Sequence, residues 1–381
     1  MSINQRYALR VVKLVAISFP PGQTFVDAIE RVWSDGNAFC VLDPRLPKQD
    51  ANLAIQSLGV DTVLGEDGFT TLPNDVRSLQ PLDEGDALVM ATSGSTGEPK
   101  AVIHTHASIA ASASATSKAI DANASSDKWL ACLPLSHIGG LSVVLRALHT
   151  NTPLELHEGF DAKAVELAAR GGATLVSLVT RALTQIDPTL FRTILIGGAA
   201  PPKQRPANVV ATYGMTETGS GIVYDQATID GAEIDFDTNG QILVRGPMLF
   251  RRYRRGPTPI DQDGWFQTGD FGGLGDAGEL VVDGRGSDVI VSGGENVWPS
   301  RLEAVLRTSP DISNAMALGE PHPEWGQQVI AHIVTPGVAP TLEAVRDLVK
   351  RSLPAWYAPK KIVIVKELPK TATGKSVKPF H

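Results

Sequence analysis

Residues 91–106 read ATSGSTGEPKAVIHTH. From Thr92 to Glu98 the chain carries two glycines and four hydroxyl side chains, and Lys100 follows Pro99. Glycines let backbone N–H groups approach an anion closely, hydroxyls donate further hydrogen bonds, and a lysine adds a point charge. Those residue types suit a phosphate cradle. A flexible surface linker has a similar composition, but it gains nothing from the apolar run at 87–91 that leads in or from the stiff Pro99-Lys100 exit. The spacing is not that of the P-loop, which ends in Gly-Lys-Ser/Thr and opens a helix.

Other groups with chemical potential are few. Arg251-Arg252-Tyr253-Arg254-Arg255 is the densest basic run in a chain of net charge −7, and reads as a solvated loop or as a grip on a phosphorylated ligand. His104 and His106 form a close pair with no third ligand nearby, so no zinc site is expected. Cys40 and Cys132 are too few for a disulfide scaffold and are not in metal-ligand spacing. The acidic balance argues against nucleic acid as the main partner.

The elements that must position these groups follow from patterning. With 381 residues, 43% hydrophobic and 20% charged, the chain suits a globular protein of two or more domains. Arg6, Arg10 and a short apolar run stand near the N-terminus, but Lys13 interrupts the run and no small-residue cleavage site follows. No run reaches the ~18 apolar residues needed to span a bilayer, so a cytoplasmic protein is expected. Within the first 80 residues only a helix at 24–33 and a strand at 38–42, broken by Asp43-Pro44, are legible.

From about residue 85, strand-like runs alternate with helical stretches such as the Ala/Ser-rich 107–120. The runs at 174–179, 193–196 and 209–212 read as strands, the last two passing into Gly197-Gly198 and Tyr213-Gly214. Strands that end in glycine loops place ligands at their carboxyl ends in α/β proteins. Residues 261–294 are rich in Gly and Asp, with a short strand at 279–282. Beyond them Pro299 opens a helix with Leu302, Val305 and Leu306 on one face. A second helix carries Leu342, Val345, Leu348 and Val349, and a strand is expected at 362–365. That tail reads as a small α+β domain, with a boundary near 285–288.

Four further stretches complete a series with TSGSTGEPK: YGMTET at 213–218, GWFQTGD at 264–270, GRGSD at 284–288 and KTATGK at 370–375. In this order they resemble the motifs of the adenylate-forming superfamily of acyl- and aryl-CoA synthetases, adenylation domains and luciferases. Taken singly, each is also explained by a turn or a surface ion pair. The resemblance implies an α/β fold: a large N-terminal domain of parallel and mixed sheets with helices (1–286) and a small mobile α+β lid domain (287–381). It implies ATP and Mg²⁺ as well. Thr92, Ser93, Gly94, Ser95, Thr96, Gly97 and Lys100 would hold the phosphates. Gly198, Tyr213, Gly214 and Thr216 would line the nucleotide site. Glu217, with Thr92, would hold the metal, and Asp270 and Arg285 would take the ribose. Ser95 stands where Thr is commoner. The pivot position, two past the arginine, is Ser287, with Asp288 next to it.

Three stretches narrow the resemblance to CoA ligases of aromatic acids. SGGENV at 292–297 is one; LPLSHIGGL at 133–141 is another, and its His137 would lie near the acyl site and thiol tunnel. TETGSGIVYD at 216–225 resembles o-succinylbenzoate–CoA ligases of menaquinone biosynthesis, as does the short chain. This implies 2-succinylbenzoate and CoA as partners of the reaction, and leaves the oligomeric state open, a homodimer included. Arg181 is a candidate for the distal carboxylate and Arg251–Arg255 for the 3′-phosphate of CoA. Two other readings share the motifs. A domain that loads a carrier protein would suit an attached Asp-Ser carrier segment, which is absent from this sequence; a non-catalytic nucleotide-binding module would be expected to have lost Glu217 or Lys375.

Lys375 would enter the active site only for adenylation, bridging the carboxylate and the α-phosphate. Lys375→Ala is expected to slow pyrophosphate exchange by roughly 10²–10³, while acyl transfer from supplied acyl-adenylate to CoA persists. Equal loss of both half-reactions would point to misfolding instead.

Overall fold

The computed structural model describes residues 11–72, 79–92, 100–199, 201–202 and 204–369. Ser93, Gly94, Ser95, Thr96, Gly97 and Lys375 fall outside the described residues. The chain divides into two compact units, one running to Ile234 with the addition of Val244–Phe266, the other formed by Asp235–Leu243 and the residues from Gln267 on.

The first unit is built on two seven-stranded sheets. In the first, Leu14–Ile17 is an interior strand, paired in parallel with Ala38–Val41 on one side and Thr62–Gly65 on the other. All four residues of this strand are buried, as expected where helices cover both faces of a parallel sheet and the run carries no polar alternation. The apolar run near the N-terminus is therefore a core strand. Asp86–Thr92 joins in parallel through Phe39↔Leu88, and its antiparallel partner Lys100–Thr105 extends the sheet to the two-residue edge strand Arg252–Tyr253.

The second sheet aligns Leu154–Leu156, Trp129–Ala131, Leu175–Val179, Thr193–Gly197 and Val209–Met215 in parallel, then turns antiparallel at Ser220–Tyr224. The strands read at 174–179, 193–196 and 209–212 are thus adjacent, and their glycine loops open at the same end. The expected helices form at Gln23–Ser34 and His106–Ala119. The sequence reading missed the helix Lys48–Leu58 and the hairpin Thr62–Gly65/Gly68–Thr71. That helix buries only Leu58, so its apolar periodicity is faint.

In the second unit Phe266–Leu274 and Leu280–Arg285 run antiparallel within a four-stranded sheet. A five-stranded sheet follows, flanked by the helices Pro299–Leu306 and Leu342–Lys350 and completed by Lys361–Ile364. Leu302, Leu306, Val345 and Val349 enter one core with the strands Asn314–His322 and Gly326–Val334, close to the pattern read from sequence. Ser287 and Asp288 lie in the single turn Gly286–Asp288 of this unit. Among the described residues no helix is long and apolar enough to cross a membrane.

The basic run departs from expectation. Arg251 makes a bidentate pair with Asp86, at 2.7 Å from Nε and 2.5 Å from Nη2, and reaches Asp83 as well. Arg252 donates to the Pro81 carbonyl, and buried Arg254 donates to the carbonyls of Leu58 and Gly59. These guanidiniums are engaged by carboxylates and carbonyls of the fold, which displaces the reading of Arg251 and Arg254 as a grip on CoA. Because the Asp86 side chain has no exposure, Arg251→Ala strands a buried carboxylate. Urea unfolding is expected to show a loss of about 3–5 kcal/mol.

Candidate active site

Thr92 and Lys100 face each other at the end of the antiparallel ladder that brackets the Gly/Ser/Thr stretch. The Thr92 hydroxyl donates to the Lys100 carbonyl at 3.4 Å. Ladder pairing continues to Thr105, which caps the helix His106–Ala119: its hydroxyl accepts from Ser108 N–H, and the Ser108 hydroxyl accepts from Thr105 N–H. This reciprocal cap satisfies two orphan donors and fixes where the helix starts.

The strand Val209–Met215 brings YGMTET to the same region. At Gly214 the neighbouring strand passes so close that a Cβ would overlap the Ser220 carbonyl, which explains the glycine before any ligand is considered. The chain then makes a single helical turn, Thr216–Thr218, closed by Gly219 at φ 68°. Met215 N–H donates to the Thr218 hydroxyl at 2.9 Å. Glu217 is held at both ends: its carbonyl accepts from Phe250 N–H, and its carboxylate accepts from the Tyr253 hydroxyl, each at 2.8 Å. The Lys100 ammonium stands 4.8 Å from the centroid of the same Tyr253 ring.

His104 ties ladder and turn together. Its Nε2–H donates to the Thr216 carbonyl at 2.7 Å, leaving Nδ1, 3.0 Å from the Ser108 hydroxyl, to accept from it. Burial holds the ring neutral and pushes its pKa down to about 4, partly opposed by the bond to Thr216. The sequence reading weighed His104 only as a metal ligand; a histidine inside the apolar ladder was the signal for a structural role.

The histidine also walls a narrow pocket lined by Ile109, Ser112, Ile138, Ser142, Arg146 and Gly219 among others. The Arg146 guanidinium is buried there, 5.4 Å from the Trp129 ring centroid. It donates to the hydroxyls of Ser177 and Ser220. Among the described residues its Nε–H has no acceptor and no carboxylate pairs with it. A desolvated charge left without a counter-charge is costly, so this arginine asks for an anion. Sequence reasoning missed it, although a lone arginine inside the apolar helix Ile138–Thr150 is a signal. Arg181, the sequence's candidate, is exposed on a surface turn.

His137 is the exposed N-cap of the Arg146 helix. Gly198, at φ 80°, ends the strand Thr193–Gly197, and Tyr213 lies half-buried in the adjacent strand. Thr92, Lys100, Thr216, Glu217, Tyr213, Gly214, Gly198 and His137 all belong to the first unit. Asp270 and Arg285 belong to the second, where they are cross-strand partners with Arg285 Nε 3.3 Å from Asp270 Oδ1. Asp270 is buried and Arg285 mostly exposed, so the carboxylate is oriented by a residue that solvent can reach.

The AMP-binding enzyme model matches residues 26–254, and the model of the AMP-binding enzyme C-terminal domain matches residues 301–375. The chain is 34% identical over 374 residues to the 2-succinylbenzoate–CoA ligase of Geobacillus kaustophilus, covering 87% of this chain and 76% of that one. It is likewise 34% identical over 380 residues to the ligase of the same name from Listeria monocytogenes, covering 88% and 81%. Among solved structures, it resembles the o-succinylbenzoate CoA synthetase (MenE) of Bacillus subtilis in complex with the acyl-adenylate OSB-AMP. The TM-score is 0.80 at 26% identity, over 97% of this chain and 88% of that one. The same enzyme with ATP and magnesium ion matches with TM-score 0.80 at 26% identity, over 97% and 89%.

The buried histidine predicts an acid-sensitive fold. With a pKa of about 4 when folded against 6.5 as the ordinary value, the unfolded chain binds more protons between these limits. Stability therefore falls as pH drops through 6.5 and levels off below 4. His104 alone is expected to remove about 3 kcal/mol between pH 7 and pH 4. Urea unfolding across that range should show a shallower dependence in His104→Gln.

Proposed function

The chain belongs to the AMP-binding enzyme family, and from that premise we infer that it is a 2-succinylbenzoate–CoA ligase. It joins the acid to CoA at the expense of ATP, releasing AMP and pyrophosphate through an acyl-adenylate. The observation that carries the substrate class is Arg146. A monocarboxylic acid uses its one carboxylate in the reaction and leaves that buried guanidinium uncompensated. 2-Succinylbenzoate keeps a second carboxylate that matches it in charge and in bidentate geometry. The cavity beside Arg146 has room for about one water molecule, so the carboxylate would enter it by displacing lining side chains.

In the first half-reaction a carboxylate oxygen attacks the α-phosphorus in line and pyrophosphate leaves. Thr92, Ser93, Ser95, Thr96 and Lys100 would hold the departing phosphates, in keeping with hydroxyl donors and a cation. Glu217 and the Thr92 hydroxyl offer the hard oxygen donors that Mg²⁺ prefers, and the half-exposed Glu217 is free to present an oxygen. When bound, Mg²⁺ neutralises phosphate charge. Asp270, oriented by Arg285, would accept from the ribose hydroxyls. In the second half-reaction the CoA sulfur attacks the acyl carbonyl and AMP leaves. We assign His137 to the acyl end of this step and the domain pivot to Ser287 and Asp288, with 1–286 and 287–381 as the moving parts. The nucleotide co-substrates suit a cytoplasmic enzyme; a homodimer is the assembly we would test by light scattering.

The reading is tested by thioester formation from a panel of aryl and alkyl acids with ATP and CoA, read by mass spectrometry. 2-Succinylbenzoate should give the highest kcat/KM. Truncating one partner of a buried charge pair costs about 2–5 kcal/mol, so Arg146→Met should raise its KM about 30-fold or more. The KM for ATP should stay near its original value. Better use of benzoate or a fatty acid by the wild-type enzyme would overturn the assignment.

A further inference from the structure

The basic run singled out by the sequence acts through the one residue in it that is not basic. Tyr253 sits in the edge strand Arg252–Tyr253, in register with Val102, and its N–H donates to the Thr258 hydroxyl at 2.9 Å. On one side of it Arg251 grips Asp86; on the other Arg254 holds the carbonyls of Leu58 and Gly59. The ring itself packs against Phe250 at 4.8 Å and is 3% exposed. An edge strand of two residues would ordinarily fray, and here its flanks are pinned to the sheet at Asp86 and to the end of the helix Lys48–Leu58. The phenol therefore has a fixed place. From that place its hydroxyl donates to Glu217 Oε1 at 2.8 Å and its face meets the Lys100 ammonium.

We propose that Tyr253 is a positioning residue for the metal–nucleotide site. Its O–H fixes one oxygen of Glu217, so that the other faces a divalent cation in a set orientation. Its ring holds Lys100 at the end of the ladder, next to Thr92, until phosphate oxygens compete for the ammonium. One side chain thus sets the directions of the negative and the positive member of the site before nucleotide arrives. This rests on the reading above that Glu217 holds Mg²⁺ and Lys100 the phosphates. Its energetic basis is general: a partner that orients a ligating carboxylate typically contributes a factor of about 10–100 in metal affinity when removed.

Tyr253→Phe keeps the ring and deletes the hydroxyl, so the hydrophobic contacts survive. Calorimetric titration of the full chain with Mg–ATP should show binding about 10–100-fold weaker than wild type. The Mg²⁺ concentration for half-maximal pyrophosphate exchange should rise by a similar factor, with the KM for 2-succinylbenzoate unchanged. Thermal melts report whether the variant is folded. Tyr253→Leu, which also removes the ring face, should raise the KM for ATP further. On a Glu217→Gln background Tyr253→Phe should have little additional effect on Mg–ATP affinity, because the oriented group is gone. Equal Mg–ATP affinity in wild type and Tyr253→Phe would overturn the proposal, as would a parallel rise in the KM for the acid, which marks general loosening. Wild-type protein that binds Mg–ATP but activates no acid would sink the ligase reading and leave this one standing.

Discussion

The antiparallel ladder between Asp86–Thr92 and Lys100–Thr105 is the constraint on which the site depends. A loop that wraps an anion with backbone N–H groups works only if its two ends are held at a set separation. The ladder does this at Thr92 and Lys100, and the same strands serve every other part. Leu88 anchors it to the parallel core, and Val102 pairs with the strand of Tyr253. His104 reaches the turn that carries Glu217, and Thr105 caps the helix that borders the pocket of Arg146. Slippage by one residue would invert every side chain of a strand and carry Asp86 away from Arg251, so that pair protects the register and the chemistry together.

Buried charge is handled in two different ways. Asp86 and Arg251 compensate each other inside the first unit, and Arg254 is satisfied by carbonyl oxygens. These groups close the fold. Among the described residues, Arg146 is met by the hydroxyls of Ser177 and Ser220 and the face of Trp129. Hydroxyl dipoles orient a guanidinium without cancelling its charge, so the site retains attraction for an anion. The contrast separates arginines that close the fold from one whose charge is left over, more clearly than the density of basic residues along the chain does.

A neutral histidine is well suited to the join between ladder and turn. Imidazole offers one donor and one acceptor on opposite edges, and both are used. A charged group there would carry a large desolvation cost so near a carboxylate that has to stay available. Burial keeps the ring neutral, and the Thr216 carbonyl, which can only accept, selects the tautomer with its proton on Nε2.

How much was legible in the sequence follows from the range of the forces involved. Local pattern determined the helices at Gln23–Ser34 and Pro299–Leu306 and the parallel strands that end in glycine loops, because burial on one or both faces writes a periodic signal. Ordered motifs marked Thr92, Lys100, Thr216, Glu217, Asp270 and Arg285 as candidates, because binding phosphate, metal or ribose calls for particular residue types. The helix Lys48–Leu58 buries a single residue and left no such signal. Only the tertiary structure decided that the arginines around Tyr253 are engaged by carboxylates and carbonyls up to 196 positions away. Only it decided that His104 bonds a carbonyl 112 positions on and that, among the described residues, the Nε–H of Arg146 finds no acceptor. Whether a charge is a ligand site or a staple depends on what folding places beside it, and that neighbour is remote in the chain.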